Sequence, residues 1–190
     1  MRPSFKAWFI IQTMGLNAVS KKHIFLTGRP GVGKSTVVKK VLGISGIRAG
    51  GFFTEEIREG GARVGFAIED ILTGSRRVMA HVRFKGPCRV GRYGVDVSAI
   101  DSVGISALEG AEKERVLVVV DEIGVMELFS PKFEQWVERL IGMEGPVFAV
   151  VQQRREDLLA RLKSRDDAEV IVVTEGNRNA LQGLIASKLR

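Results

Sequence analysis

The sequence predicts an α/β fold: a mostly parallel sheet flanked by helices, with an antiparallel hairpin insertion after the first helix. Three observations predict it. From residue 115 onward, short apolar runs suited to strands alternate with longer stretches of helical periodicity. The run "RVLVVVDE" has no polar alternation, as expected of a strand covered by helices on both faces. Residues 51–85 instead alternate at period two and are broken by "GG" and "TG" turns.

Taken in order, "HIFLTG" (23–28) reads as a buried strand ending in glycine. "KSTVVKKVLG" then places Val37, Val38, Val41 and Leu42 on one helical face. "GFFTEEIRE", "ARVGFAIEDI" and "SRRVMAHVRF" form a meander of hairpins, with Val78, Ala80, Val82 and Phe84 expected on one face. "PCRVGRYGVDV" (87–97) reads as an ordered loop, and "SAIDSVGISALEGAEKE" contains a helix. After the strand at 116–122, Ser130-Pro131 starts a helix, with serine capping and proline at the first helical position. Phe133, Trp136, Val137, Leu140 and Ile141 make its apolar stripe. "PVFAVV" (146–151) is a strand, "REDLLARLKS" a helix and "EVIVVT" (169–174) a strand. A last helix buries Leu181, Leu184, Ile185 and Leu189.

The 190 residues suit one domain over 22–190, preceded by an N-terminal extension at 1–21. Hydrophobic and charged fractions of 45% and 27% are those of an ordinary globular chain. No run approaches the ~18 apolar residues of a membrane span. The apolar patch Ala7 to Ile11 is too short for a secretory signal core, so the start reads as a tail, with Met14 a possible first residue. A membrane-surface contact through Trp8, Phe9 and Ile10 is the rival reading. The lone Cys88 permits no internal disulfide and points to a cytoplasmic address. The net charge of +7 would fit a nucleic-acid binder. Four of those charges, however, lie on Arg2, Lys6, Lys21 and Lys22, and no concentrated basic stripe follows. Charge therefore gives no argument for nucleic acid.

The chemistry is concentrated in two motifs. "GRPGVGKST" fits the phosphate-loop (Walker A) pattern G-x-x-x-x-G-K-[ST], with a strand before it and a helix after it. Its residues Gly28, Arg29, Pro30, Gly31, Val32, Gly33, Lys34, Ser35 and Thr36 are candidates to hold nucleotide phosphates. Backbone N–H groups and the positive end of the helix cradle the β-phosphate. Lys34 bridges β- and γ-oxygens, and the Ser35 hydroxyl ligates Mg2+. The second motif is the acid pair Asp121-Glu122 at the end of the greasy strand, a Walker B arrangement. Two unpaired acids there would cost several kcal/mol in a dry interior, so a cation is expected. We expect this strand to lie beside the phosphate-loop strand and Asp121 to face the metal. Glu122 is the candidate catalytic base toward a water in line with the γ-phosphate; the alternative is a structural acid paired with a neighbouring arginine.

Other features carry less. Glu55, Glu56, Arg58 and Arg63 form a charged cluster, either a solvated edge of cross-strand pairs or part of an insertion that closes over the nucleotide. In "TEGNRNAL", Asn177 and Arg178 are candidates for the base or ribose, against a helix cap and an exposed arginine. Cys88 reads as a packed residue, and His23 and His81 as structural.

Together, "HIFLTGRPGVGKST", "GFFTEEIREGGARVGF", "CRVGRYGVDV", "VDEIGVMELFS" and "VTEGNR" resemble the thermophile-type (THEP) nucleoside-triphosphatases, related to a human cancer-related nucleoside-triphosphatase. The resemblance spans residues 23 to 178. It implies a RecA-like P-loop NTPase core and Mg2+-dependent hydrolysis of nucleoside triphosphates (ATP, GTP, CTP and UTP) with loose base preference. It carries over the loop from Gly28 to Thr36, with Asp121 and Glu122, position by position. The chain departs from the family at its first 20 or so residues and at "QQRRED", so an arginine-finger role for Arg154 or Arg155 is left open. Two other readings also stand: a small-molecule or nucleotide kinase using the same loop, and a nucleotide-dependent switch or adaptor. A protein partner is not legible.

Overall fold

The computed structural model describes residues 22–190; the expected extension at 1–21 lies outside the described residues. In chain order the elements are β1 (His23–Thr27), α1 (Lys34–Ser45), β2 (Ala49–Glu59), β3 (Ala62–Asp70), β4 (Arg76–His81), β5 (Arg89–Val90) and β6 (Tyr93–Val95). A helical segment follows as α2 (Val97–Ala99), a π-helical stretch (Ile100–Ile105) and α3 (Ser106–Lys113). Then come β7 (Leu117–Ile123), a 3-10 turn (Glu127–Phe129), α4 (Pro131–Gly142), β8 (Val147–Val151), α5 (Glu156–Lys163), β9 (Ala168–Val172) and α6 (Arg178–Leu189).

The strands form one sheet in the order β5-β6-β4-β3-β2-β7-β8-β1-β9. β2, β7, β8, β1 and β9 are parallel to one another, and β3 to β6 extend the sheet antiparallel from β2. Period-two side-chain geometry divides the parallel strands between two cores. On one face Phe25, Val118, Val120 and Ala149 pack against Phe133, Trp136, Leu158 and Leu108. On the other Ile24, Leu26, Val119 and Phe148 pack against Val37, Val41, Leu181 and Ile185. Both faces are thus closed by helices, which is why those strands contain no polar alternation.

Several expectations are corrected. β7 does not lie beside the phosphate-loop strand: β8 pairs with both β1 and β7 and separates them. Apolar runs of similar length carry no information on which strands are neighbours, so the sequence could not decide this. In β4 a register shift pairs Val78 with Ala67 and Ala80 with Phe66, so a bulge breaks the single-face reading. The segment at 87–97 is not a loop throughout. β5 and β6 make a tight hairpin across Gly91 and Arg92, and β6 pairs with β4. Strands of two and three residues are too short to show alternation. Leu184 on α6 is 51% exposed rather than buried.

Candidate active site

The carboxyl ends of β1, β7, β8 and β9 meet at one edge, where parallel α/β sheets hold ligands. β1 ends at Thr27, and the loop from Gly28 turns into α1 at Lys34. Gly28 sits at φ +143°, and a Cβ there would meet the Val173 carbonyl oxygen at 2.5 Å, so only glycine fits. α1 starts from Gly33 with no side-chain cap and no acid in its first turn, so the positive end of the helix is not neutralised by its own sequence. Lys34 is buried, and its Nζ donates to the carbonyls of Gly28 (3.1 Å) and Arg29 (3.2 Å), which sets its ammonium inside the curve of the loop. Three ammonium protons and two neutral acceptors leave one donor for an anion. Arg29, Pro30 and Gly31 form the exposed tip, Val32 anchors in the core, and Thr36 is exposed.

Ser35, the second residue of α1, donates its hydroxyl to Asp121 Oδ1 at 3.0 Å. Asp121 is 1% exposed, and burial pushes its carboxyl up to about 7 against the pull of the Ser35 hydrogen bond. Its Oδ2 is buried and has no partner among the described residues. An orphaned carboxylate oxygen beside a serine hydroxyl is a hard-oxygen donor set that fits Mg2+. Among the described residues no group of three or more His, Cys, Asp or Glu could hold a metal by itself. A Mg2+ here would therefore complete its shell with phosphate oxygens and water, its usual habit.

Glu122 is half-buried, and its Oε1 accepts from Gln152 Nε2 at 2.6 Å. The partner is an amide from the end of β8, not the arginine considered from sequence. Glu122, Gln152, Thr54, Phe66, Met126 and Glu127 line a cleft of about 110 Å³. Glu127 is 4% exposed; burial pushes its carboxyl up to about 8, while the backbone N–H groups of Glu127 and Gly124 pull the other way. Gln152 and Glu127 were missed from sequence. Glu127 could have been found as a lone acid within the apolar "GVMELF"; nothing local marks Gln152.

Arg178 and Asn177 reach different places. Arg178 Nη1 donates to the Val32 carbonyl at 3.2 Å, with its side chain 3.7 Å from where a Cβ on Gly33 would stand, so it rests on the phosphate loop. Asn177 stands at the start of α6 without capping it. Its Oδ1 accepts from the Thr174 N–H (2.8 Å) and its Nδ2 donates to the Val172 carbonyl (2.9 Å), which fixes the preceding turn. Arg155 pairs with Asp157, and Arg154 is exposed. The hairpin cluster is mainly an edge network. Glu55 pairs with Lys39 of α1 and with Arg76, and Glu56 pairs with Arg58 and Arg63. Yet Thr54 and Phe66, from the same hairpin, wall the cleft at Glu122. His23, in β1, lies with Nε2 3.3 Å from Asp167, and burial pushes its imidazole down toward the neutral form.

Three comparisons place this geometry among known proteins. A family model described as NTPase matches residues 23–186. The nucleoside-triphosphatase THEP1 of Thermotoga petrophila is 44% identical over 158 residues, 83% of this chain and 87% of that protein. The crystal structure of THEP1 from the hyperthermophile Aquifex aeolicus superposes with a TM-score of 0.79 at 35% identity, covering 88% of this chain and 99% of that one. The solution structure of a human cancer-related nucleoside triphosphatase gives 0.74 at 34% identity, covering 89% and 97%.

Proposed function

This chain belongs to the NTPase family, and from that premise we propose that it hydrolyses nucleoside triphosphates to the diphosphate and phosphate, with Mg2+ and loose preference among ATP, GTP, CTP and UTP. The phosphate-loop N–H groups and Lys34 hold the β- and γ-phosphates and stabilise charge that develops on the γ-oxygens. Ser35 and Asp121 would hold Mg2+, which would supply further charge neutralisation at the phosphates. A water in line with the γ-phosphorus is oriented by Glu122, which takes its proton as the new P–O bond forms and the bond from the γ-phosphorus to the bridging oxygen breaks, releasing the nucleoside diphosphate. Arg178, resting on the loop, adds a positive charge near the nucleotide. The lone Cys88 fits a cytoplasmic address.

The observation that carries hydrolysis, rather than transfer to another acceptor, is the half-buried acid directly after Asp121, whose carboxylate is held by the Gln152 amide at 2.6 Å with no arginine or lysine paired to it among the described residues. The deciding experiment is phosphate release by the purified chain with Mg2+ and each triphosphate, beside Lys34→Ala and Glu122→Gln. Release from all four, lost in both variants while Glu122→Gln still binds nucleotide, is expected. Undiminished turnover in Glu122→Gln would remove the base assignment. A hydroxyl compound labelled from the γ-phosphate faster than water would replace hydrolase with kinase.

A further inference from the structure

We propose that Gln152 is a positioning residue that aims the Glu122 carboxylate, and that this role follows from β8 being threaded between β1 and β7. The inference rests on Glu122 acting as the base. Gln152 is the first residue beyond β8, so the sheet order delivers it to the carboxyl edge between the phosphate-loop strand and the strand bearing the acid pair.

Three hydrogen bonds tie Gln152 to the segment it serves. Its backbone N–H donates to the Ile123 carbonyl (3.1 Å), its Oε1 accepts from the Val125 N–H (3.4 Å), and its Nε2 donates to Glu122 Oε1 (2.6 Å). The orientation of the amide is therefore determined. Turned over, it would set one oxygen against another at 2.6 Å and face an N–H with an NH2. Gly124 makes the approach possible, since a Cβ there would stand 2.4 Å from Gln152 Nε2 and 2.8 Å from Glu127 Oε2.

The chemistry of the donor matters as much as its place. An arginine or lysine beside Glu122 would stabilise the carboxylate strongly and weaken it as a base. A neutral amide fixes one oxygen without adding charge, and the other oxygen is left for the water in the cleft. One amide N–H goes to Glu122 and the amide oxygen to the Val125 N–H, so the role assigned to Gln152 is exerted through Glu122.

That dependence is what the test reads. The full chain is compared as wild type, Gln152→Ala, Glu122→Gln and the double variant, by single-turnover hydrolysis and by affinity for the β,γ-imido analogue of ATP. Loss of a partner that orients a reacting group costs about 10–100-fold in activity. That loss is expected in kcat for Gln152→Ala, with analogue affinity within about threefold of wild type and less than about twofold further loss when Glu122 is already Gln. Gln152→Met keeps the volume without the donor and should lose rate like the alanine variant, which removes misfolding as an explanation. An equal loss from Gln152→Ala in both backgrounds, or none in the wild-type background, overturns the positioning role while leaving the base assignment intact. Full turnover in Glu122→Gln alone overturns the base assignment, and the positioning role falls with it.

Discussion

Glu127 shows at the residue scale how burial is converted into a pH dependence. Its carboxyl is raised from 4.5 to about 8, first by burial and then by Glu122 and Asp121 nearby. Between those values the folded chain holds a proton that the unfolded chain has released, so stability falls as pH rises through about 4.5 to 8. Asp121 contributes in the same direction from 3.8 to about 7. Chemical denaturation without Mg2+ or nucleotide should show stability declining from pH 5 to pH 8. Glu127→Gln, which keeps an oxygen for the two backbone donors, should remove a part of that decline on the order of a few kcal/mol. An unchanged slope in that variant would mean the carboxyl does not titrate in this range.

At the scale of elements, the turn into α4 ties that helix to the helical segment before β7. Ser130 is fully buried; its hydroxyl accepts from the Phe133 N–H at 3.1 Å and donates to Asp101 beside it in the π-helical stretch. One side chain thus caps α4 and fastens it to the helical segment before β7. The 3-10 turn that carries Glu127 ends at this serine. Ser130→Ala should therefore cost about 1–2 kcal/mol of unfolding free energy, the range of a lost N-cap. Urea denaturation would read it, and a change below a few tenths would show that the cap is replaced by water. By contrast, the exposed pairs of the hairpin, such as Arg83 with Glu59, should each contribute about 0–1 kcal/mol and weaken with salt.

Across the whole molecule, β8 is the strand on which fold and site both depend. It pairs in parallel with β1 and β7, and its Phe148 is fully buried in the core beneath α1 and α6. Phe148→Ala should cost about 3–5 kcal/mol through lost burial and a residual cavity. Thermal and chemical unfolding would both register it. Because the same strand places Gln152 against Glu122, the variant should also lose turnover under conditions where it remains folded. Full turnover together with the full stability loss would uncouple the core from the site.

Contiguous features were legible in the chain itself. The phosphate loop, its following helix, the acid pair Asp121-Glu122, the Ser130 cap and the α/β class all follow from neighbours along the sequence, because loop geometry, helix period and capping are local physics. The tertiary structure alone decided what depends on strand order and register. It placed β8 between β1 and β7, faced Glu122 with an amide rather than an arginine, laid Arg178 on the phosphate loop, and turned Val78 away from Ala80 at a bulge. It also made Glu127 a buried acid beside the cleft. Apolar strands of equal length are interchangeable to the eye, and only packing two cores against one sheet selects which of them become neighbours.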